Sequence, residues 1–573
     1  MASRLQYHMI NLIKNLLRFE RNQQIMSNAH FIDDLLFTCK YVLNDENHFL
    51  NSSIQHIFER LATQSITSKS LREYLRLGTK FENCLSGNCN NNNNNNKKSE
   101  STNLENSDRS GPLIPLNRVK CLISMTTLRD NKVFIGTSFV EFNMYVEGFG
   151  CLFLPSIAPQ LTNAPSIVAM GMVSVGNDIS VNGGVGSGER IFPPQSGLSY
   201  STWIYIDKFG TQINPTVQID DSIENSANTK NLHPIRILTL IKHSKLRDTL
   251  TSCLTVYISP KSKSLVISTE ESLLTQQKLD QQTVSKLDAK PSDYVAKFNC
   301  AELFEEGRWL HVTLVWSRAV LKNSSVTLYV NSNLIGSQKL HYINSSISAN
   351  STPSSMSIHA VIGTLPMFRL QSPVVWRQAS CYLFEEIISP QSVQSIYKLG
   401  PNYLGSFQSP PNTNELNESL TLNTSLITED KIVFGLHAQN IFEMTLAKFR
   451  KVYSKNDSKT IGKQLNIPTH ESVTPLRILS NTAVQLNGPA RTVGAVIIGY
   501  LGVRTFQPMP VTKTIEHIGG VSFLLSLIAM ANDIEFMYAS VKALVCIVKS
   551  NSEIAKEMDR YLLNLYFYFK IFG

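Results

Sequence analysis

The strongest constraint on the fold comes from residues 188–207, where a segment rich in Gly and Pro leads into an alternating apolar strand. In this strand, large β-branched or aromatic residues recur at every second position, as expected when one face of a strand is buried. Segments 307–316, 326–331 and 360–364 have the same β-branched and aromatic character. Together these four segments predict a β-sandwich in the middle of the chain.

Further segments extend this prediction. Residues 235–240, 254–258 and 264–268 predict short strands, and Asn331-Ser332-Asn333 predicts a hairpin turn. Residues 384–388 predict the closing strand, followed by a short helix capped by Ser389 and ended by Gly400. This order resembles a concanavalin A-like (laminin G-like) sandwich. We expect its structural core to contain Trp203, Trp309, His311, Trp316, Tyr329 and Gly363.

Helical periodicity dominates both ends of the chain. Apolar residues recur at intervals of three and four before residue 80 and again after about residue 442. Near the C-terminus, Val541, Leu544, Val545 and Val548 form a strong apolar stripe, and Asn532-Asp533 predicts a helix cap. Short amphipathic helices in series favour an armadillo-like array, in which each helix needs stacked neighbours.

The predicted fold class is therefore α+β and multidomain, with a concanavalin A-like sandwich flanked by armadillo-like helical segments. The predicted domains are 1–81, helical and armadillo-like; 82–117, a disordered Asn-rich linker; 118–405, the sandwich, with a Gly/Ser-rich loop near 162–188; 406–428, a polar linker; and 429–573, armadillo-like helices truncated at the C-terminus.

Composition and charge exclude several classes of function. The net charge of +9 is small for 573 residues, and no basic stripe is interleaved with aromatics, so nucleic acid is not an expected partner. The nine cysteines include no CxxC pair. Cys84 and Cys89 lack nearby ligands for zinc, whereas Cys121, Cys253 and Cys546 lie in apolar runs typical of buried thiols. The N-terminus lacks the features of a signal peptide, so a reduced, cytoplasmic protein is expected.

No catalytic site is predicted, and the chain is not expected to be an enzyme or to need a cofactor or metal. Glu302 and Glu306 are spaced like paired glycosidase carboxylates, and Glu385-Glu386 follows later, but the Glu-x-Asp-x-x-Glu pattern is absent. Asp207, Asp220-Asp221 and Asp293 are isolated, unlike the clustered oxygen ligands of a lectin-type calcium site.

Long strings of the chain resemble the BEACH-domain family. They are residues 146–159, 188–203, 399–407, 499–506 and 541–551. The resemblance implies a very large cytoplasmic scaffold, in which armadillo-like helices flank a concanavalin A-like domain and PH-like, BEACH and WD40 modules follow. Residues 90–96, an Asn run, and 561–569, an aromatic segment, depart from the family pattern.

The resemblance also implies the cellular role. Some family members carry a FYVE finger for phosphatidylinositol 3-phosphate and help to deliver ubiquitinated aggregates to autophagosomes. The expected partners are therefore proteins, namely autophagy machinery and ubiquitinated cargo, and membranes only through modules absent from this chain. The expected location is cytoplasmic, peripheral to autophagic or endosomal membranes. The alternative is a glycan-binding, lectin-like module on the same sandwich.

Overall fold

The structure is a computed structural model, and it describes residues 2–78, 114–127, 136–158, 192–210, 233–244, 249–274, 292–319, 324–344, 356–407, 427, 429–445, 475–481, 495–498 and 502–572. The chain divides into two compact units. The helical unit comprises Met1–Gly136 and Gln507–Gly573, and the sheet unit comprises Thr137–Phe506. The helical unit is thus assembled from both ends of the chain.

The described residues form twelve helices, of which all but α8 belong to the helical unit. They are α1 Ala2–Leu16, α2 Glu20–Asn28, α3 Phe31–Thr38, α4 Lys40–Asn44, α5 Asn51–Ala62, α6 Ser68–Arg76, α7 Leu116–Thr126, α8 Pro390–Leu399, α9 Val511–Ile518, α10 Gly520–Ala529, α11 Ile534–Ser550 and α12 Ser552–Phe572.

The two ends of the chain share one hydrophobic core in the helical unit. Leu61 and Val119 from the first half are fully buried in the same cluster as Leu524 from the second. A backbone hydrogen bond also connects the two segments, since the N–H of Ile66 donates to the carbonyl of Met509 at 2.8 Å. Burial of apolar surface from both segments therefore stabilises this unit across the 370 intervening residues, 137–506.

The sheet unit contains seventeen strands among the described residues. They are β1 Phe139–Asn143, β2 Gly150–Ala158, β3 Gly197–Lys208, β4 Ile235–Ser244, β5 Thr249–Ile258, β6 Ser264–Ser268, β7 Ser272–Leu273, β8 Val295–Asn299, β9 Trp309–Ser317, β10 Ser325–Val330, β11 Asn333–Lys339, β12 Met356–Thr364, β13 Val375–Phe384, β14 Ile432–Thr445, β15 Pro475–Asn481, β16 Ala495–Ile498 and β17 Val503–Phe506.

These strands form two antiparallel layers. The first layer has the order β17-β1-β13-β3-β9-β10-β11, and the second has the order β16-β2-β12-β4-β5-β6-β8, with β7 also paired to β5. Strand β14 pairs with β13, and β14-β15-β16 carry the hydrogen bonding from the first layer to the second. One core cluster contains inward side chains of both layers, such as Ile204 and Leu314 from the first and Leu240 and Ile362 from the second.

Three local predictions are confirmed in detail. Asn331 and Ser332 both have positive φ, 50° and 66°, as a tight hairpin turn between β10 and β11 requires. The Ser389 side chain accepts a hydrogen bond from the N–H of Ser392 at 3.1 Å and so caps α8. The Asp533 side chain caps α11 in the same way.

The predicted helical segment from 429 to 506 is wrong. In the structure this part of the chain contributes strands β14 to β17 to the sheet unit, and only the residues from Val511 onward are helical. The described side chains from Ile432 to Ala438 are all buried, so the sequence shows no two-residue alternation there. A strand covered on both faces cannot be distinguished from a helix by apolar period alone.

The predicted sandwich boundaries of 118 and 405 are wrong for related reasons. Residues 116–126 form α7 of the helical unit, where Val119, Leu122 and Met125 are buried at helical spacing. The strand in this region is Val375–Phe384 rather than 384–388, and it does not close the sheet, which continues to Phe506. Most of the Asn-rich linker, the loop near 162–188 and nearly all of the linker at 406–428 lie outside the described residues.

No single helix among the described residues is long and apolar enough to cross a membrane. The bent pair α9 and α10, with 85° between its helices, meets the criteria of length and composition together.

Candidate functional site

A buried polar cluster lies on the outer face of the first layer, on β3 and β9. The Ser201 hydroxyl and the Nε2 atom of His311 are 2.8 Å apart, and the Thr313 hydroxyl donates to Ser201 at 3.3 Å. All three side chains have 1% exposure or less. The alternation of β3 and β9 puts them on the face opposite the inter-sheet core, because Tyr200, Leu310 and other even-numbered neighbours enter that core.

Helix α8 contributes to the same outer face. The Tyr397 ring stacks on Trp203 with centroids 5.6 Å apart, and it lies 5.9 Å from the ring of His311. Trp203 and His311 are themselves 5.0 Å apart. The cluster is therefore enclosed by aromatic rings and removed from solvent.

The Ser-His pair does not have the surroundings of a nucleophile and its base. The Nδ1 atom of His311 forms no hydrogen bond with any described residue, so the third group that orients a catalytic base is not found among the described residues. Burial lowers the pKa of His311 to about 3, which keeps the imidazole neutral. This geometry supports a structural role, in which Ser201 satisfies one ring nitrogen of a buried histidine.

The neutral histidine predicts a pH dependence of stability. The His311 pKa is about 3 in the folded protein and ordinarily 6.5, so the unfolded chain binds the extra proton first as the pH falls. The free energy of unfolding should therefore decrease by about 2 kcal/mol from this group between pH 7 and pH 5. His233, whose pKa is lowered to about 4 mainly by burial, adds to the same trend.

Urea denaturation at several pH values checks this prediction. In the variant His311→Gln, the free energy of unfolding should decrease by about 2 kcal/mol less than in the wild type between pH 7 and pH 5, whatever the stability of the variant at pH 7. Asn333→Gln, at an exposed side chain of the sheet unit that does not titrate, is the control and should leave the dependence unchanged. If the free energy of unfolding changed equally with pH in the wild type and in His311→Gln, His311 would not be the source of this pH dependence.

A second cluster forms a row of facing residues across five strands. Arg504 faces Glu141, Glu141 faces Arg377, Arg377 faces Tyr205, and Tyr205 faces Trp309. Arg504 binds the fully buried Glu141 carboxylate through two contacts, at 2.6 and 3.2 Å. The Arg377 guanidinium lies 3.5 Å from the same carboxylate.

Aromatic rings surround the charges of this row. The Arg377 guanidinium lies over the rings of Phe139 and Tyr205, at 4.6 and 4.9 Å from the centroids. Such contacts favour a cation where water is excluded. Sequence reasoning missed this row, although single charges inside the apolar strings Phe139–Asn143 and Val503–Phe506 are the signal that could have shown it.

The predicted core residues divide between environments. Trp316 enters the inter-sheet core, and Gly363 lies at a close approach of β12 to β2, whereas Trp203 and His311 occupy the outer face under α8. The prediction that Trp309 and Tyr329 are core residues is wrong. Both side chains lie on the outer face of the first layer, and both are only partly buried. The ring of Trp309 lies 5.4 Å from that of Tyr205 with a tilt of 53° between them, and Tyr329 packs against the cluster around Phe384.

The predicted carboxylate pairs are not arranged as a shared site by any described contact. Glu306 accepts a hydrogen bond from the N–H of Phe209 at 2.7 Å, and Glu305 pairs with Arg308. The pKa of Glu386 is raised, mainly by burial, with Lys431 opposing and Glu385 adding to the shift. Among the described residues, no group of His, Cys, Asp and Glu could hold a metal ion. Cys253 is buried, whereas Cys121 and Cys546 are only partly buried, and Cys84 and Cys89 lie outside the described residues.

Helix α11 presents apolar side chains on two faces. Phe536, Ala543 and Ile547 are buried in the helical unit. A second set, here called the α11 stripe, is exposed by 42–89% and consists of Ile534, Tyr538, Val541 and Val545. The predicted stripe is thus divided, since Leu544 and Val548 pack against the core and Val541 and Val545 do not. An exposed apolar helix face of this kind can bind another protein.

Two curated relatives match nearly the whole chain. The WD repeat- and FYVE domain-containing protein 4 of Mus musculus is 32% identical over 576 residues, covering 95% of this chain, and that of Homo sapiens is 31% identical over 589 residues, covering 96%. The chain belongs to the BEACH-domain family. Alfy, the autophagy-linked FYVE protein, is a member of the same family, so the family predicted from the sequence is confirmed.

A third relative in this family is more distant. Protein SPIRRIG of Arabidopsis thaliana is 23% identical over 411 residues, covering 65% of this chain. The chain spans 17% of the length of the mouse and human relatives and 10% of the plant protein. No family model matches the chain.

Solved structures give weaker likenesses. A SAP-like pentraxin from Limulus polyphemus is 13% identical, covering 47% of this chain and 85% of its own, with a TM-score of 0.23. The binding domain of botulinum neurotoxin DC, solved in complex with rat synaptotagmin II, is 14% identical, covering 36% of each chain, with a TM-score of 0.20. Scores this low establish neither fold nor function.

Proposed function

We propose that this chain is a non-catalytic scaffold segment of a BEACH-family protein that acts in membrane trafficking, and specifically in selective autophagy, through protein-protein contacts. In this proposal the sheet unit is a concanavalin A-like spacer and the helical unit is armadillo-like. The protein works in the cytoplasm, at the periphery of autophagic or endosomal membranes. Its partners are autophagy machinery and ubiquitinated cargo.

The observation that carries the proposal is the α11 stripe. Four large apolar side chains on one helix face are exposed, although side chains on the opposite face of the same helix are buried in the core of the helical unit. In helical arrays such a face is ordinarily covered by the next helix or by a partner. The buried Ser201-His311 pair adds support, because its side chains are at most 1% exposed and give no access to a substrate.

Proximity labelling in cells tests the proposal. The full chain, fused to a biotin ligase, should label proteins of autophagosome membranes and ubiquitinated cargo more strongly than the free ligase does. Val541→Asp places a charge on the α11 stripe and should abolish that enrichment. Lys556→Gln, at a side chain with 61% exposure on α12, is the control and should retain it.

Two outcomes would contradict the proposal. Labelling indistinguishable from that of the free ligase would remove the autophagy role, and equal labelling by wild type and Val541→Asp would remove the stripe from it. A glycan array with the full chain examines the alternative. Specific glycan binding that is lost in Trp309→Ala would favour the lectin-like function instead.

A further inference from the structure

Helix α1 carries a second exposed apolar stripe. Its members recur at helical spacing along one side, and each is 41–68% exposed. This set, the α1 stripe, consists of Leu5, Met9, Leu12, Leu16 and Phe19. Phe19 lies just beyond the helix, where its N–H still donates to the carbonyl of Leu16 at 3.4 Å.

The helical unit anchors α1 by a different side. Leu17 is 3% exposed within the core of the unit, and Ile10 and Ile13 pack against the same core. At 3.6 residues per turn, this anchoring side lies about 100° around the helix axis from the α1 stripe. The stripe is therefore held at the surface by contacts that do not use it.

The charged residues of helix α1 and of the turn before α2 are all cationic. From residue 2 to residue 19 the sequence contains Arg4, Lys14 and Arg18 and no Asp or Glu. None of these three cations forms an ion pair with a residue that the structure describes. An exposed apolar stripe with a basic opposite face and low net hydrophobicity is the pattern of a helix that lies in the plane of an anionic membrane surface.

The α11 stripe provides an internal contrast. Its helix carries Glu535, which pairs with Lys120 at 2.6 Å, and Lys542, which lies 5.9 Å from the centroid of the Tyr538 ring. That apolar face is accompanied by charges of both signs, which suits a protein partner better than a lipid surface. Charge therefore distinguishes the two stripes.

We propose that the α1 stripe inserts into the interface of an anionic lipid bilayer, with Arg4, Lys14 and Arg18 attracting the negative headgroups. The inference is independent of the autophagy role proposed above. It also departs from the expectation that membranes are contacted only through other modules of the family. Apolar burial and electrostatic attraction both contribute to such binding, so a substitution that removes either contribution should weaken it.

Vesicle sedimentation of the full 573-residue chain tests this proposal. Vesicles of phosphatidylcholine with about 30% phosphatidylserine should bind the chain at about 0.1 M NaCl, and vesicles of phosphatidylcholine alone should bind it much less. Leu12→Asp should lower the partition coefficient about tenfold through lost apolar burial. Arg4→Gln with Arg18→Gln should lower it by about tenfold or more and weaken its dependence on salt.

Matched variants separate this effect from misfolding. Leu12 is 58% exposed and Leu5 is 66% exposed, so Leu12→Asp and Leu5→Asp should both keep the wild-type circular dichroism spectrum and elution volume. Val541→Asp in the α11 stripe should bind vesicles as the wild type does. This last result also distinguishes the two proposals, because that variant is the one expected to lose the labelled partners.

Three outcomes would overturn the membrane assignment. They are equal binding to neutral and anionic vesicles, wild-type binding by both Leu5→Asp and Leu12→Asp, and absence of vesicle binding with a dimer that Leu12→Asp converts to a monomer. The last result would assign the α1 stripe to a second copy of the chain.

Discussion

Substitution of Glu141 by Gln is expected to lower the free energy of unfolding of the sheet unit by about 3–5 kcal/mol. The Glu141 carboxylate is fully buried and compensates two guanidinium groups, with Arg504 at 2.6 Å and Arg377 at 3.5 Å. A neutral amide leaves those cations in a poorly solvated site, where an uncompensated charge is costly. Urea denaturation followed by Trp fluorescence measures the effect, because Trp203, Trp309, Trp316 and Trp376 all belong to the sheet unit.

An exposed ion pair provides the control for Glu141. Glu305 and Arg308 of the sheet unit are 2.8 Å apart, and their side chains are 52% and 73% exposed. Glu305→Gln should change stability by less than about 0.5 kcal/mol. If Glu141→Gln had an equally small effect, the buried row would contribute little to stability, and the burial of its charges would need another explanation.

Substitution of Gly363 by Ala is expected to be similarly damaging, at about 3–5 kcal/mol. Gly363 has a φ of 90°, which L-residues with a side chain adopt only with strain. A Cβ atom there would also overlap the carbonyl oxygen of Gly150 and lie 2.8 Å from the ring of Phe142. Both the backbone of β2 and a fully buried ring would have to move.

Gly336 on β11 is the matched control for Gly363. A Cβ atom at Gly336 would meet only the Phe298 ring, at an ordinary 3.8 Å. Gly336→Ala should therefore stay within about 1 kcal/mol of the wild type. Urea denaturation of both variants, followed by Trp fluorescence, measures these effects. Equal urea midpoints for Gly363→Ala and the wild type would show that β12 can shift without loss of stability.

The local elements of the sheet unit were largely accessible to sequence reasoning. The alternation in Gly197–Lys208, the turn at Asn331 and Ser332 and the cap at Ser389 each depend on residues close together in the chain. The domain boundaries were not accessible in this way. Residues 432–438 of β14 are buried on both faces, and Leu116–Thr126 joins helices that follow Phe506 in sequence.

The candidate sites divide in the same way. The sequence identified Trp203 and His311 as structural residues, but it could not place them under α8 rather than in the inter-sheet core. The alternation of a strand shows that its two faces differ, yet does not say which face meets the other layer. Nor could it show that Glu141, Arg377 and Arg504, which are distant in sequence, lie side by side on β1, β13 and β17.

The sequence by itself determined the family, the antiparallel strands at the centre of the chain and the helices at its two ends. These follow from long matching strings and from apolar periods read over a few residues. Only the tertiary structure decided that the two ends form one unit, that the sheet extends to Phe506, and that the α1 and α11 stripes are exposed. The physical reason is that burial depends on contacts between distant segments, whereas an apolar period is the same whether its face is covered or open to solvent.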